Sequence, residues 1–573
     1  MKIIKDPVYG YIEIERKLVP DVVDTPNFQR LRNVRQTSYA PLYPSAEHSR
    51  FCHSLGVYYL GKKAFEVLEE DFRHISSENL QNPFSFNYED IKTAFLLACL
   101  LHDIGHAPFS HTGEYFYDKT GGGKLLDRLK AILENNGFNT DIEGIQKLPK
   151  NHELMSAIIG VRVFGSLIPE RLQDFFARCI TGYKYRGRDG DKACDHEPPL
   201  ISEQLLNCYI ELLHSATIDV DRLDYLIRDA YVSGYQGVSI DYVRLLNGIC
   251  IHKDGNGVFR IAFSRLSLSI IENVIYAHDS EAKWIQSHPT VLYGHFIAGN
   301  IITKVDDYYR NQIGKDLFSE ESLLPHQDES DLEQGFTEIS LLSDDDIFFL
   351  AKNHLGGSVF LDYISRDQWR HPIWKSEAEY NYLLLEKGAL KNKITHAFND
   401  LTNYQSILHG SGAIINESFI SNCEDQLEKL RADSNDISEP EKQKQIQISI
   451  KIFERRKRWG ELFKEICEQK GIRFSIVILS TKLFQSSFSI YEFKDIQMCM
   501  NKESDTIALS AVSSLLSVDD KNRTKVDDKN RPNQEDEQNL FYIFYDRKKV
   551  ASDGIETISA KEFIDFIESK SLG

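Results

Sequence analysis

Histidine and aspartate recur over four segments of this chain in a pattern that suits metal binding and proton transfer. His53 lies in Arg50-Phe-Cys-His-Ser-Leu-Gly56, and His102 with Asp103 in Leu100-Leu-His-Asp-Ile-Gly-His-Ala-Pro-Phe-Ser-His111. His152 follows in Asn151-His-Glu153, and Asp221 lies in Thr217-Ile-Asp-Val-Asp-Arg-Leu-Asp-Tyr-Leu-Ile-Arg-Asp229. Three of the 18 histidines fall within residues 102–111, a density that chance explains poorly. His53, His102, Asp103 and Asp221 would form a two-His, two-Asp set. Such a mixed nitrogen and oxygen set suits Fe, Mn, Zn, Co or Mg better than a thiophilic ion. A divalent metal held there would lower the pKa of bound water and polarise a phosphoryl oxygen. His106, His111 and His152 remain for charge stabilisation and proton donation near neutral pH. Glu114, three residues after His111, could fix that imidazole's orientation. A single buried His-Asp pair, by contrast, is usually a structural hydrogen bond.

These residues need helices to hold them. Residues 91–106 are apolar almost all round, which predicts a buried helix with His102 and Asp103 near its C-terminal end. Adjacent helical residues diverge by roughly 100°, so both reach one ion only at a helix end or beside a neighbouring helix. His102 and His106 would share a face if the helix persists through Gly105. Residues 204–230 read as a long helix carrying Asp221, Asp224 and Tyr225, and 54–70 as a third with His53 at its start. Loops are expected over 77–88, 119–124 and 183–199, and an acidic exposed connection over 319–346.

A chain of 573 residues exceeds one core, so two or three domains are expected. The fold class read here is mainly α, a helical core over 1–400 followed by a smaller α+β lobe over 401–573. Residues 421–470 are helical and charged. Residues 473–480, 488–493 and 539–545 look like strands, and 560–570 like a final helix. The repeated Val-Asp-Asp-Lys-Asn-Arg at 518–523 and 526–531 predicts a flexible loop over 517–538. No apolar run approaches the ~18 residues of a membrane span, and the N-terminus has no signal-peptide pattern, so a cytoplasmic protein is expected. Nine scattered cysteines without a Cys-x-x-Cys pair argue against a disulfide framework and a thiolate zinc site. A net charge of −19 disfavours a nucleic-acid coat, though an anionic substrate could still bind at a local positive site.

Two further motifs carry less. Thr120-Gly-Gly-Gly-Lys124 fails as a phosphate loop because position 118 is Asp and Leu125 replaces Ser or Thr. The basic run Glu454-Arg-Arg-Lys-Arg-Trp459 reads as a solvated helix face paired with nearby Glu461 and Glu465.

At this point the chain resembles the HD-domain phosphohydrolases. It is most similar to the deoxynucleoside triphosphate triphosphohydrolases, both bacterial dGTPase-like members and the mammalian SAM-and-HD-domain type. The resemblance rests on the residues already quoted, on Met1-Lys-Ile-Ile-Lys-Asp-Pro-Val-Tyr-Gly-Tyr-Ile-Glu-Ile14, and on Asp24-Thr-Pro-Asn-Phe-Gln-Arg-Leu-Arg-Asn-Val-Arg-Gln36. It also covers Ala46-Glu-His-Ser-Arg-Phe-Cys-His-Ser-Leu-Gly-Val57. It spans residues 1–240, loosens over 241–400 and fades beyond. It implies a divalent metal on His53, His102, Asp103 and Asp221, and hydrolysis of a dNTP to deoxynucleoside and inorganic triphosphate. It implies His111 as the acid for the 5′-oxygen and His106 and His152 as phosphate-facing partners. Arg50 and Arg222 become triphosphate contacts, and Gln36, Tyr225 and Asp229 sugar-side contacts. Arg222 stands where mammalian members carry Lys, which keeps the charge but changes its shape.

In regulated members, residues matching Asp24, Gln29 and Arg32 read guanine in an allosteric site. A carboxylate and an Arg suit the guanine edges, but Asp24-Thr-Pro also reads as a simple helix start. The implied partners are a dNTP substrate, a dNTP or GTP effector, and further copies of the chain as a dimer, tetramer or hexamer; the added C-terminal lobe would suit regulation by a nucleotide or a regulatory protein. No membrane is implied, and nucleic acid is disfavoured. The biological role would be dNTP depletion in antiphage defence or pool control. The late-core Arg and Tyr of the family have no match here: Lys283-Trp-Ile-Gln-Ser287 precedes His288-Pro-Thr-Val291. Base preference is therefore not carried over. Two alternatives stand beside this reading: an HD-type phosphatase or phosphodiesterase for a signalling nucleotide, and a catalytically silent nucleotide sensor.

Overall fold

Helix α1 (Arg50–Val67) is built to be approached closely. A Cβ at Gly56 would lie 1.8 Å from Asp224 Oδ1, so only glycine lets that carboxylate sit against the helix. Onto α1 pack α2 (Tyr88–Leu101), α5 (Ile201–Leu213) and α6 (Val220–Ser233), while α3 (Asn151–Phe164) and α4 (Gln173–Thr181) pack on α2. Ten of the fourteen α2 residues are buried, as expected for a helix apolar on all faces. The computed structural model describes all residues except 39, 79–86, 119–122, 134–137, 144, 146–147, 190–191, 195–196, 216, 236–238, 326–337, 366–368, 406–411, 437–439, 483–492, 494–495, 501–505, 514–538, 547, 550–554 and 571–573.

The chain forms two compact units. The first comprises Met1–Ile285, Ile301–Leu355 and Gln485–Val526. It begins with the hairpin β1 (Lys2–Asp6) and β2 (Gly10–Ile14) and contains the helical core. A second hairpin, β3 (Ile249–Lys253) and β4 (Phe259–Ser264), pairs Ile249 with Phe263 and Lys253 with Phe259. Strand Gln497–Cys499 joins it in parallel beside β4, and Ile507–Ala508 closes the four-stranded sheet. Helix α7 (Leu268–Glu281) follows β4.

The second unit comprises Gln286–Asn300, Gly356–Phe484 and Asp527–Gly573. Its antiparallel sheet runs in the order His371–Pro372, Asn539–Tyr545, Ile476–Lys482, Gly412–Ile415. Leu540 to Tyr545 are all buried, and Trp374 donates its indole N–H to the Phe541 carbonyl at 2.7 Å. Helices Gly388–Gln405, Glu417–Asp436, Pro440–Gln469 and Ala560–Ser569 complete an α+β lobe. The basic run at 454–459 is paired: Arg456 meets Asp400 at 2.7 Å, and Lys457 meets Glu424 at 2.9 Å and Glu461 at 3.5 Å. Glu465 pairs instead with Lys570. Among the described residues, no helix is long and apolar enough to cross a membrane.

Several local expectations need correction. The helix expected over 91–106 ends at Leu101, with His102 at its C-cap. The chain runs on as a turn, and a Cβ at Gly105 would lie 2.3 Å from the Ser156 backbone N, so only glycine lets α3 come this close to it. His102 and His106 therefore do not share a helix face. The helix expected over 204–230 is two helices, broken between Leu213 and Val220, where Asp219 caps α6 by accepting from Arg222 N at 2.7 Å. The loop expected over 183–199 contains a short hairpin, Gly187–Asp189 with Lys192–Cys194. The ends of the 319–346 connection are buried at Leu323, Leu342 and Asp344, rather than exposed. Most of 77–88 and 119–124, the centre of 319–346, the whole of loop 517–538 and all of strand 488–493 except Phe493 lie outside the described residues.

Candidate metal centre

The end of α2, the first turn of α1 and the first turn of α6 meet at one point. There the Nε2 atoms of His53 and His102 stand 3.2 Å apart. Asp221 Oδ1 lies 2.9 Å from the first and 3.7 Å from the second. The ligand atoms of these three residues lie within 4.8 Å of one another. Asp103 adds Oδ1 at 3.4 Å from His102 Nε2 and Oδ2 at 3.6 Å from His53 Nε2. Donors at ~2.0–2.2 Å from a shared ion are roughly 3.0–3.6 Å from each other, close to the spacing seen here.

The tautomers fit as well. His102 Nδ1–H donates to the Cys99 carbonyl at 3.0 Å, and His53 Nδ1–H donates to Asp224 Oδ2 at 2.7 Å. Both Nε2 lone pairs are left facing the centre, a poor arrangement without a cation and a good one with it. Burial opposes a charge on His53, but hydrogen bonds to Asp221 and Asp224 and the charge of Asp103 raise its pKa to about 10. The potential that attracts a proton there would equally attract a metal ion. Asp221 keeps 41% of its side-chain surface, so the centre is open on the α6 side.

Behind His53 runs a buried ionic chain that the sequence reading missed. Asp224 takes two hydrogen bonds from Arg228, at 2.9 and 3.0 Å, and Arg228 reaches Asp6 Oδ2 at 2.9 Å. The Arg228 guanidinium and His53 hold the Asp224 pKa down to about 2 despite its burial. Asp224 therefore remains an anion and fixes the His53 ring. The spacing Asp221, Asp224, Arg228 along one helix was the available signal.

The second cluster surrounds Glu114. His111 Nδ1 donates to Glu114 Oε1 at 2.7 Å, His106 Nδ1 lies 3.2 Å from the same oxygen, and His152 Nδ1 lies 2.9 Å from Oε2. The His106 and His152 rings stack at 4.0 Å. Among the described residues, neither nitrogen of buried His106, nor Nδ1 of His152, has a hydrogen bond of good geometry. Burial, Arg50 and His152 press the His106 pKa down to about 4, so its ring is neutral at pH 7. Burial also lowers His152. His111 keeps 58% of its side-chain surface and faces solvent. Asp103 joins the clusters, with Oδ1 3.1 Å from His106 Nε2 and Oδ2 accepting from Arg50 Nη1 at 2.8 Å. Arg50 also donates to Ser110 Oγ and to the Gln36 carbonyl. Phe109 and Ser110, just before His111, both have positive φ, 58° and 50°. That strain is held by Asp344, which accepts from Phe109 N at 2.7 Å and Arg35 N at 3.2 Å.

The remaining expected site residues divide. Gln36 is buried beside Arg50, and its side-chain Oε1 has no hydrogen bond among the described residues. Asp221, Tyr225 and Asp229 follow at four-residue intervals on α6. Asp229 is buried and bonds His48 Nε2 at 2.7 Å, a partner the sequence reading did not name. Arg222 lines a cavity of about 930 Å³ together with Lys150, Glu153, Lys184, His214 and Arg260. None of the four candidate ligands lines it, although Arg222 adjoins Asp221 and Glu153 adjoins His152 in the chain. Asp24, Gln29 and Arg32 lie in the N-terminal segment. Arg32 Nε donates to Gln29 Oε1 at 2.7 Å and its guanidinium covers Phe51, while Asp24 meets Lys2 at 3.3 Å. The helix Pro26–Gln29 is capped by Thr25.

With this geometry in hand, known proteins offer a comparison. The HD domain profile matches residues 50–156, which include His53, His102 and Asp103 but not Asp221. An uncharacterised protein of Mycoplasma genitalium, MG461, is 29% identical over 47% of this chain and 52% of its own length. The mouse deoxynucleoside triphosphate triphosphohydrolase SAMHD1 is 30% identical over 43% of this chain and 34% of its own. A solved phosphohydrolase from Bacteroides thetaiotaomicron covers 96% of this chain at 18% identity, with a TM-score of 0.49. The chain spans about half or less of the length of these curated relatives. The architecture is thus a mainly helical core carrying an HD domain, with a smaller α+β lobe.

Proposed function

We propose that this chain is a metal-dependent phosphohydrolase that cleaves dNTPs to deoxynucleoside and inorganic triphosphate. The observation that carries the reading is the joining of two clusters through one carboxylate: Asp103 touches both the convergent His53 and His102 nitrogens and the His106 ring. Residues for a metal thus adjoin residues for a phosphate. The dNTP substrate is drawn from the name of the mouse relative and from the match of residues 1–240 to its class.

His53, His102, Asp103 and Asp221 would hold a divalent ion, which when bound supplies an activated water and charge neutralisation at the phosphoryl oxygen. Arg50 is fixed by Asp103, Ser110 and the Gln36 carbonyl and offers its charge to the substrate's phosphates. His106 is neutral at pH 7 and so is a poor proton donor to the leaving group. His111 is the better donor. Burial lowers its pKa too, but it is solvent-facing, and the Glu114 carboxylate at its Nδ1 opposes that shift and favours the imidazolium whose Nε2–H goes to the leaving 5′-oxygen. Neutral His152 stacks on His106 and keeps that wall in place.

The test is incubation with each dNTP and Mg, Mn, Fe, Zn or Co, with and without a second nucleotide as activator. Deoxynucleoside and inorganic triphosphate are expected. Absence of turnover under every combination overturns the reading. Release of monophosphate or a linear dinucleotide would favour the signalling-nucleotide alternative, which the departure at Lys283–Ser287 motivates.

A further inference from the structure

After the chain has passed through the second unit, the described residues 493, 496–500 and 506–513 belong again to the first. Two contacts tie this segment along α7. Ser513 Oγ donates to Glu272 Oε1 at 2.6 Å, and the Phe493 ring meets His278 edge-on at 6.0 Å. Its strand Gln497–Cys499 sets Met498 opposite Phe263, with Met498 fully buried. Ile496 N donates to the Phe493 carbonyl at 3.2 Å, and Phe493, which has helical backbone, precedes that strand by four residues. Phe493 is itself fully buried. Its ring lies under the Arg222 guanidinium, 5.6 Å from centroid to Cζ, within the range of a cation–π contact. Arg222 follows the candidate ligand Asp221 on α6 and lines the 930 Å³ cavity, as do Ile496 and Gln497 of the returning segment.

We infer that Phe493 is a positioning residue: it holds the Arg222 guanidinium at the wall of this cavity and so sets affinity for a polyphosphate chain. The inference deepens the dNTP reading and rests on it for the identity of the polyphosphate. A long, flexible Arg side chain loses much rotamer freedom when it grips an anion. An aromatic face beneath it removes part of that cost in advance and leaves the N–H donors pointing away from the ring.

The experiment measures binding of inorganic tripolyphosphate by calorimetry and, in parallel, KM and kcat for a dNTP. The proteins are the full-length wild type, Phe493→Met, Phe493→Leu, Phe493→Trp, Arg222→Ala and the Phe493→Met, Arg222→Ala double variant. Met and Leu keep apolar volume and lose the ring face. They are expected to weaken tripolyphosphate binding and raise KM about 3- to 30-fold with kcat nearly unchanged. Trp restores the wild-type values, and Phe493→Met adds nothing once Arg222 is Ala. A purely packing role predicts instead lower melting temperature and lower kcat, and additive effects in the double variant; that result, or unchanged binding in a folded Met or Leu protein, overturns the inference. Tripolyphosphate binding that depends on Phe493, without hydrolysis of any dNTP, would sink the functional reading and leave this one standing.

Discussion

The two clusters that share Asp103 are built on opposite plans. In the candidate metal cluster each imidazole has its outer nitrogen committed, His102 to the Cys99 carbonyl and His53 to Asp224, and Asp224 is itself clamped by Arg228, which Asp6 holds in turn. In the cluster around Glu114 one carboxylate serves three imidazoles, and His106 and His152 keep nitrogens without well-aligned hydrogen bonds. A ligand must hold its lone pair on one point, whereas a group that meets substrate or passes a proton needs an atom in reserve. Bracing and reserve are thus placed a few ångströms apart, with Asp103 belonging to both.

Breaking the braced side should have the largest effect. His102→Ala removes a donor and is expected to lower hydrolysis by about 10³-fold or more and to abolish tight metal binding. Metal content after dialysis and the thermal shift on adding metal both check it; an unchanged metal stoichiometry would falsify the assignment. On the reserve side, His111→Ala should cost about 10²-fold in kcat while metal stoichiometry stays at the wild-type value. Loss of metal in that variant would erase the distinction between the clusters. Asp224→Asn tests the brace behind His53. Roughly 10- to 100-fold weaker metal affinity is expected, with His53 still present. Competition with a chelator measures it, and unchanged affinity would mean that Asp224 serves packing alone.

The braced side was partly legible in the sequence, because metal donors must be of a few residue types. Spacing pointed to His53, His102 and Asp221, whose ligand atoms lie within 4.8 Å of one another. The turn that makes this work was not legible. The turn after Leu101 is held by the Gly105 amide donating to Ser156 Oγ at 2.9 Å, a contact between residues about fifty apart. Asp6 and Arg228 are separated by 222 residues, and nothing local marks either as a brace. Phe493 reads as one more strand residue until the returning segment is seen beside α7. The strand expected over 539–545 is found there, and the one expected over 473–480 runs Ile476–Lys482; both were legible because Ile476-Val-Ile-Leu479 and Leu540-Phe-Tyr-Ile-Phe-Tyr545 are unbroken runs of strand-forming residues.

Gly56→Ala sharpens the comparison from the backbone. The added methyl would fall 1.8 Å from Asp224 Oδ1 and 2.5 Å from Arg228 Nη2. Neither group can withdraw without leaving a buried charge unpaired. A loss of about 3 kcal/mol in stability is expected from overpacking, together with weaker metal binding. Urea unfolding and metal titration on the same preparation check the pair. If stability falls and metal affinity does not, α1 and α6 can separate without moving His53, and the brace is less rigid than its hydrogen bonds suggest.

The smallest expected effect separates the clusters by pH. Asp344 holds the strained Phe109–Ser110 turn that leads into His111. Burial raises its pKa to about 6 in the fold, against 3.8 for an unperturbed carboxyl, although the Phe109 and Arg35 amides favour the anion. Its folded pKa is above its unfolded one, so the native state binds the proton more tightly. Stability from this group is present in full below about pH 4 and is lost as pH rises to about 6, after which it is flat. The expected size is on the order of 2 kcal/mol. Asp344→Asn removes this titration while keeping one acceptor for the Phe109 amide. The difference in unfolding free energy between wild type and variant should therefore change between pH 4 and pH 6 and be constant from pH 6 to 8. His111-dependent kcat should follow the same window if Asp344 governs the turn's geometry. A difference that is independent of pH would leave the turn supported by neutral hydrogen bonds, and both clusters would then be braced alike.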